Sequence, residues 1–132
     1  SDITYRVYDW DRVDAEGNER ELHNDIALEA FDFEMPDNYR VKYSLDSNSS
    51  TELVSCPYFT TNVLDVTEPI LKENTHDSFV IYMCVEGKAS VEVDGTITEI
   101  SMGETVLIPA CIERFTISAN HAKLLEVYIE LV

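Results

Sequence analysis

The chain has 132 residues, 45% of them hydrophobic, which is about one domain and enough for a single core. Its 26 acidic residues against 9 basic ones give a formal charge of −17, which repels polyanions and excludes nucleic acid as a partner. No apolar run approaches the roughly 20 residues needed to cross a bilayer and no charged-then-apolar leader is present, so the expectation is a soluble, cytoplasmic protein without a membrane partner.

The opening decapeptide SDITYRVYDW reads as a strand, with Ile3, Tyr5 and Val7 on one face and Thr4, Arg6, Tyr8 and Trp10 on the other. Asp11 to Glu21 is charged and carries Gly17-Asn18, a surface turn. Leu22, Ile26 and Ala30 recur at four-residue spacing with Ala27 and Phe31 beside them, which predicts a short helix from about Arg20 to Phe31, stopped by Pro36. The polar stretch SLDSNSST is the natural boundary between a leading segment, residues 1–50, and a compact lobe, residues 51–132.

Beyond that boundary nearly everything reads as strand. CPYFTTNVLDV alternates, with Tyr58, Thr60, Asn62 and Leu64 on one side and Phe59, Thr61, Val63 and Asp65 on the other. SFVIYMCV is a continuous apolar run, expected to be buried on both faces. SVEVDGTITEI is a hairpin turning at Asp94-Gly95. TVLIP, RFTIS and KLLEVYIELV supply three more strands, with turns at Met102-Gly103 and Ala119-Asn120. Six or more short strands at close spacing predict a mainly β sandwich or barrel. Cys56, Cys84 and Cys111 form no C-x-x-C pair; Cys84 and Cys111 lie in apolar runs and read as buried structural thiols.

Few residues carry recognisable chemistry. The four glycines form no phosphate loop, and there is no G-x-S-x-G elbow. Arg6 stands out as a lone cation among aromatic and hydroxyl groups. A guanidinium is charged at any working pH and its planar fork fits phosphate or an enediolate oxygen. An ion pair to Asp2 or Asp9 would explain the same residue structurally. His23, His76 and His121 do not cluster, and each has a plain reading as a turn or loop residue.

SDITYRVYDW, then RELH and ALEAFDF, resembles the segment that follows the zinc site in type I mannose-6-phosphate isomerases of the short two-cupin kind. SFVIYMCVEGKASVEVDG, GETVLIPA and IERFTI resemble the carboxy-terminal lobe of the same family, in the family's order. The resemblance narrows the fold to a cupin jelly roll (double-stranded β-helix) with a leading strand and a short helix. It implies the downstream portion of an aldose–ketose isomerase that interconverts mannose 6-phosphate and fructose 6-phosphate, with a phosphorylated sugar as partner. The family's zinc ligands precede the arginine-bearing segment, so zinc is expected in a full-length parent and none in this chain, which alone is expected to be inactive. The start at Ser1, without a methionine, reads as a portion of a longer protein.

The resemblance places the catalytic cation on Arg6, with Tyr5 and Asp9 orienting it. Many cupins bind metal through two histidines and a glutamate in a first motif and a histidine in a second. Here the first motif holds only His76, and Arg114 stands where the second histidine would be; an arginine cannot ligate a cation. The alternative is a metal-free degenerate cupin that binds a sugar or a partner; a free-standing metallocupin such as a dioxygenase is argued against by the missing ligands. A leading strand taken from an absent barrel would also expose an edge through which two copies pair.

Overall fold

The leading residues lack the strand their alternation suggests. Arg6 gives both backbone hydrogen-bonding groups to one residue: its carbonyl accepts from the His23 N–H at 2.7 Å, and its N–H donates to His23 Nδ1 at 3.1 Å. A backbone so engaged builds no ladder, and Trp10 and Asp11, at φ 51° and 54°, break any extended run. The premise of pairing through a leading strand edge is therefore missing among residues 3–10. The computed structural model describes residues 3–35, 38 and 40–130, in two units, Ser1–Tyr39 and Arg40–Val132.

In the leading unit Val13 bridges Glu19, and the expected turn lies between them. The Asp14 carboxylate accepts the backbone N–H groups of Glu16 and Asn18 at 3.0 and 2.8 Å. The helix α1 is Asn24–Ala30, shorter than its periodicity suggests. Its expected first turn is spent elsewhere: Glu19 is in the bridge, Arg20 reaches Asp9, and His23 bonds Arg6. Phe31, extended at ψ 130°, ends it, and Pro36 lies outside the described residues. Ala27 is its one buried residue.

The strands of the second unit pair antiparallel: β1 (Ser50–Cys56), β2 (Phe59–Val66), β3 (Ile70–Glu73), β4 (Val80–Val93), β5 (Thr96–Ser101), β6 (Thr105–Ile108), β7 (Arg114–Ser118) and β8 (Ala122–Tyr128). The strands follow the order β1-β2-β8-β4-β7-β3, with β5 and β6 also paired to β4. β4 serves both arms of this sheet. Its first half pairs with β6 and β8, its second with β5 and β7, and a bulge between Cys84 and Glu86 makes the bend. Gly87 lies at that bend with φ +75°; a Cβ there would come within 2.4 Å of the His121 carbonyl oxygen, so only glycine fits. The β4–β5 hairpin turns at Asp94-Gly95 as expected, both at positive φ, 49° and 80°, as a type I′ turn requires.

Leu64, Tyr82, Ile117, Leu124 and Ala122 are fully buried and, with Val66, Val80, Val91, Ile100, Ile108 and Phe115, form one core. Removing a leucine or isoleucine side chain of this kind from water is worth about 1.5–3 kcal/mol. Two burial expectations are corrected. The run expected to be buried on both faces alternates: Val80, Tyr82 and Cys84 point inward, while Met83 and Val85 are exposed. β2, read as a strand with two distinct faces, is buried on both from Asn62 to Val66. One cause is visible at Asp65, where Ser47 bridges the strand in parallel and its hydroxyl donates to the carboxylate at 2.8 Å. Cys56 and Cys84 are partly and fully buried, but Cys111 is exposed. It sits in the β6–β7 turn closed by the Ile112 N–H to Pro109 carbonyl bond, and Ile112 packs on the core in its stead.

Candidate functional site

Arg6 is half-buried, held at backbone and head by one short stretch of chain. Besides the two bonds to His23, its Nη1 donates to the Glu21 carbonyl at 3.3 Å. Asp9 does not pair with it. The Asp9 carboxylate takes a two-pronged grip from Arg20, Nε to Oδ2 and Nη2 to Oδ1, both 2.7 Å, and these bonds hold its carboxyl below the usual range. Asp9 therefore braces the loop through Arg20 and acts on Arg6 only as a nearby charge. Tyr5 lies edge-on to the His23 ring, centroids 6.3 Å apart, and so touches the residue that holds Arg6. Asp2, the other suggested ion-pair partner, is outside the described residues. Among the described residues, the acceptor found for the Arg6 head is the Glu21 carbonyl.

A second polar assembly lies inside the β unit. Glu126 on β8 is directly opposite Asn62 on β2 and Tyr82 on β4, so the three form one inward row across adjacent strands. Asn62 Nδ2 donates to Oε2 at 2.9 Å and the Tyr82 hydroxyl to Oε1 at 2.6 Å. Lys72 Nζ reaches the same Oε1 at 2.6 Å and donates to the Ser50 hydroxyl at 3.0 Å. Lys72 comes from β3, separated from β8 in the sheet by β4 and β7, so this ion pair ties the two arms together across the interior. Burial by itself would raise the Glu126 carboxyl. The Lys72 ammonium, then the bonds from Asn62, Lys72 and Tyr82, outweigh it and bring the group down to about 2. Burial, with Glu126 alongside, pushes the Tyr82 hydroxyl far up, so it stays a proton donor.

The histidines remain apart. His23 serves Arg6, His76 stacks on Tyr128 with centroids 3.9 Å apart, and His121 Nε2 lies 3.7 Å from an Asp65 oxygen. His76 and Arg114, the two motif positions, do line one hollow of about 340 Å³ with Asn74 and Glu113. Arg114 there pairs with its cross-strand neighbour Glu73, Nε to Oε1 3.0 Å, in the open. Among the described residues no three His, Cys, Asp or Glu side chains gather to hold a metal ion. The interior carboxylate is already paired with the Lys72 ammonium, a cation in the place a metal ion would take.

The sequence reading missed the interior assembly, although a signal was there. Glu126 shares a face with Leu124 and Tyr128, and Lys72 with Ile70; a charge at an inward position on each of two strands calls for a partner.

The description of the matching family model is "Mannose-6-phosphate isomerase, cupin domain", over residues 49–129. The chain belongs to the mannose-6-phosphate isomerase cupin-domain family. Mannose-6-phosphate isomerase ManA of Bacillus subtilis is 30% identical over 112 residues, 83% of this chain and 35% of the relative. The crystal structure of the mannose 6-phosphate isomerase from Bacillus subtilis superposes with a TM-score of 0.67 at 30% identity, covering 98% of this chain and 41% of that one. A cupin-2 domain protein of Shewanella frigidimarina, 12% identical with a TM-score of 0.57 over 83% of this chain and 94% of its own, shares the fold alone. The cupin-domain chain thus spans little more than a third of its curated isomerase relatives. The family match starts at residue 49, one position before β1, whereas the chain divides at Tyr39 and Arg40; Arg6 lies upstream of both. The helix of the described residues is too short to cross a membrane.

Proposed function

We propose that this chain is the downstream portion of a zinc-dependent mannose-6-phosphate isomerase and supplies it with one charged catalytic group, Arg6. Moving a proton between adjacent sugar carbons passes through an enediol, so the reaction needs a polarised carbonyl, a base and a cation facing the developing negative charge. Arg6 is the cation, and Tyr5 and Asp9 act on it indirectly, through His23 and Arg20. The observation that carries the reading is coverage: the Bacillus subtilis enzyme aligns over nearly the whole chain, the Arg6 unit included, and not only over the cupin lobe. In this reading the zinc is held by residues other than those of this chain, and the fragment alone is inactive.

A coupled assay on the protein expressed from the complete reading frame tests it. Conversion of mannose 6-phosphate to fructose 6-phosphate that is abolished by a chelator and restored by zinc is expected. No turnover of this pair with zinc supplied would contradict it. The Lys72–Glu126 pair favours a second reading for the lobe by itself: with its interior already neutralised it serves as a metal-free binding or packing module.

A further inference from the structure

We infer that His23 is the positioning residue for Arg6, holding the guanidinium-bearing backbone in place through a neutral ring with its lone pair on Nδ1. The inference rests on the reading of Arg6 as the catalytic cation, but its geometry is independent of that reading. His23 is the N-cap of α1, at φ −114° and ψ 42°, yet its side chain makes no capping bond to the helix. N-cap residues ordinarily use a side-chain oxygen to satisfy the first free N–H groups of the helix. Here the ring acceptor faces away from that task and takes the Arg6 N–H instead, at 3.1 Å.

The His23 backbone N–H returns a bond to the Arg6 carbonyl at 2.7 Å, so one residue grips both sides of Arg6. Two positions earlier the Glu21 carbonyl accepts from the guanidinium at 3.3 Å. Main chain and head of Arg6 are thus fixed to two residues of one short stretch, His23 and Glu21, without any strand ladder. An acceptor for a peptide N–H must be unprotonated, which puts the ring proton on Nε2. Tyr5 lies edge-on to the same ring.

The test uses three variants. In the full-length protein His23→Phe keeps a ring without an acceptor, and is expected to lower kcat about 10- to 100-fold, the scale of a misplaced catalytic group, with KM changed far less. His23→Asn, whose Oδ1 can accept the same N–H, is expected to restore most of the loss. Arg6→Ala is the reference. If Arg6→Ala lowers kcat and His23→Phe does not, the positioning role is overturned while the isomerase reading stands.

If Arg6→Ala is itself without effect, the catalytic reading fails, and the inference is then decided by NMR of the 132-residue chain. Nitrogen shifts of the His23 ring should report an Nδ1 acceptor. The Arg6 amide should exchange slowly in the wild type and in His23→Asn but quickly in His23→Phe. A protonated Nδ1, or equal Arg6 exchange in all three, overturns the inference even where His23→Phe is too unstable for kinetics, because the wild-type ring shifts alone suffice.

Discussion

The two units of this chain are held by different forces. In Arg40–Val132 a continuous apolar core is completed by one internal ion pair, and every strand pairs with a neighbour in a defined register. In the described part of Ser1–Tyr39 only Ala27 is buried, while Ile3, Val7, Trp10, Leu22, Ile26, Leu28, Phe31 and Phe33 are exposed. What orders that unit is polar and local: the Asp14 turn, the Asp9–Arg20 pair and the exchange between Arg6 and His23. Hydrogen bonds contribute modestly net, about 1 kcal/mol each, whereas a buried apolar side chain contributes more and cooperatively. Arg6, the proposed catalytic cation, lies in the thinly packed unit. On the proposed function, stability and reactivity fall in separate stretches of the sequence.

Lys72→Met should break the contrast most severely. It leaves the Glu126 carboxylate buried without its cation, a situation that costs about 3–5 kcal/mol. Adding Glu126→Gln should recover much of this, because the amide removes the stranded charge. Thermal melts of both variants check the order; a single variant that melts like the wild type would show that the pair contributes nothing. Leu124→Ala, at a fully buried position flanked by Leu64 and Cys84 across the strands, should cost about 2–5 kcal/mol in denaturant unfolding.

Acid sharpens the same comparison. The Glu126 carboxyl is lowered from its model-compound value of 4.5 to about 2 in the folded protein, so between those values the unfolded chain binds more protons. Stability from this group is complete above about pH 4.5 and is lost as the pH falls towards 2, a change on the order of 1–3 kcal/mol. Glu126→Gln should remove that acid dependence, which urea unfolding at stepped pH would reveal. The smallest effect is expected in the leading unit, where Leu28→Ala at an exposed helix position should shift stability by no more than about 0.5 kcal/mol. A loss matching that of Leu124→Ala would mean that the leading unit depends on apolar burial after all.

The legibility of the sequence followed the same division. Strand alternation, the Asp94-Gly95 turn and the loop before β1 were readable, because a sheet with one apolar face writes its period directly into the chain. Local competition was not. Ile3 to Trp10 alternates like a strand, but the backbone bonds of Arg6 go to a residue 17 positions away, and the helix lost its first turn to those bonds, the Val13–Glu19 bridge and the Asp9–Arg20 pair. Arg6 stood out as a lone cation and took its expected role from the resemblance, while its holder His23 passed as an ordinary turn residue because a backbone-to-ring bond leaves no periodic trace. Asp9 looked like the partner of Arg6 from proximity in sequence; the better geometry of Arg20 took it. The exposure of Cys111 was hidden because one turn residue, Ile112, fills the apolar place that the run IPACIE seemed to give to both.

The measurement that bears most directly on the division of labour is turnover and melting temperature of Arg6→Ala in the full-length protein, taken on the same preparation. Removing one preorganised stabiliser of developing charge should lower kcat about 100- to 1,000-fold, with the melting temperature of the β unit unchanged. A variant that turns over mannose 6-phosphate at the wild-type rate but melts earlier would make Arg6 a scaffold residue and contradict the account.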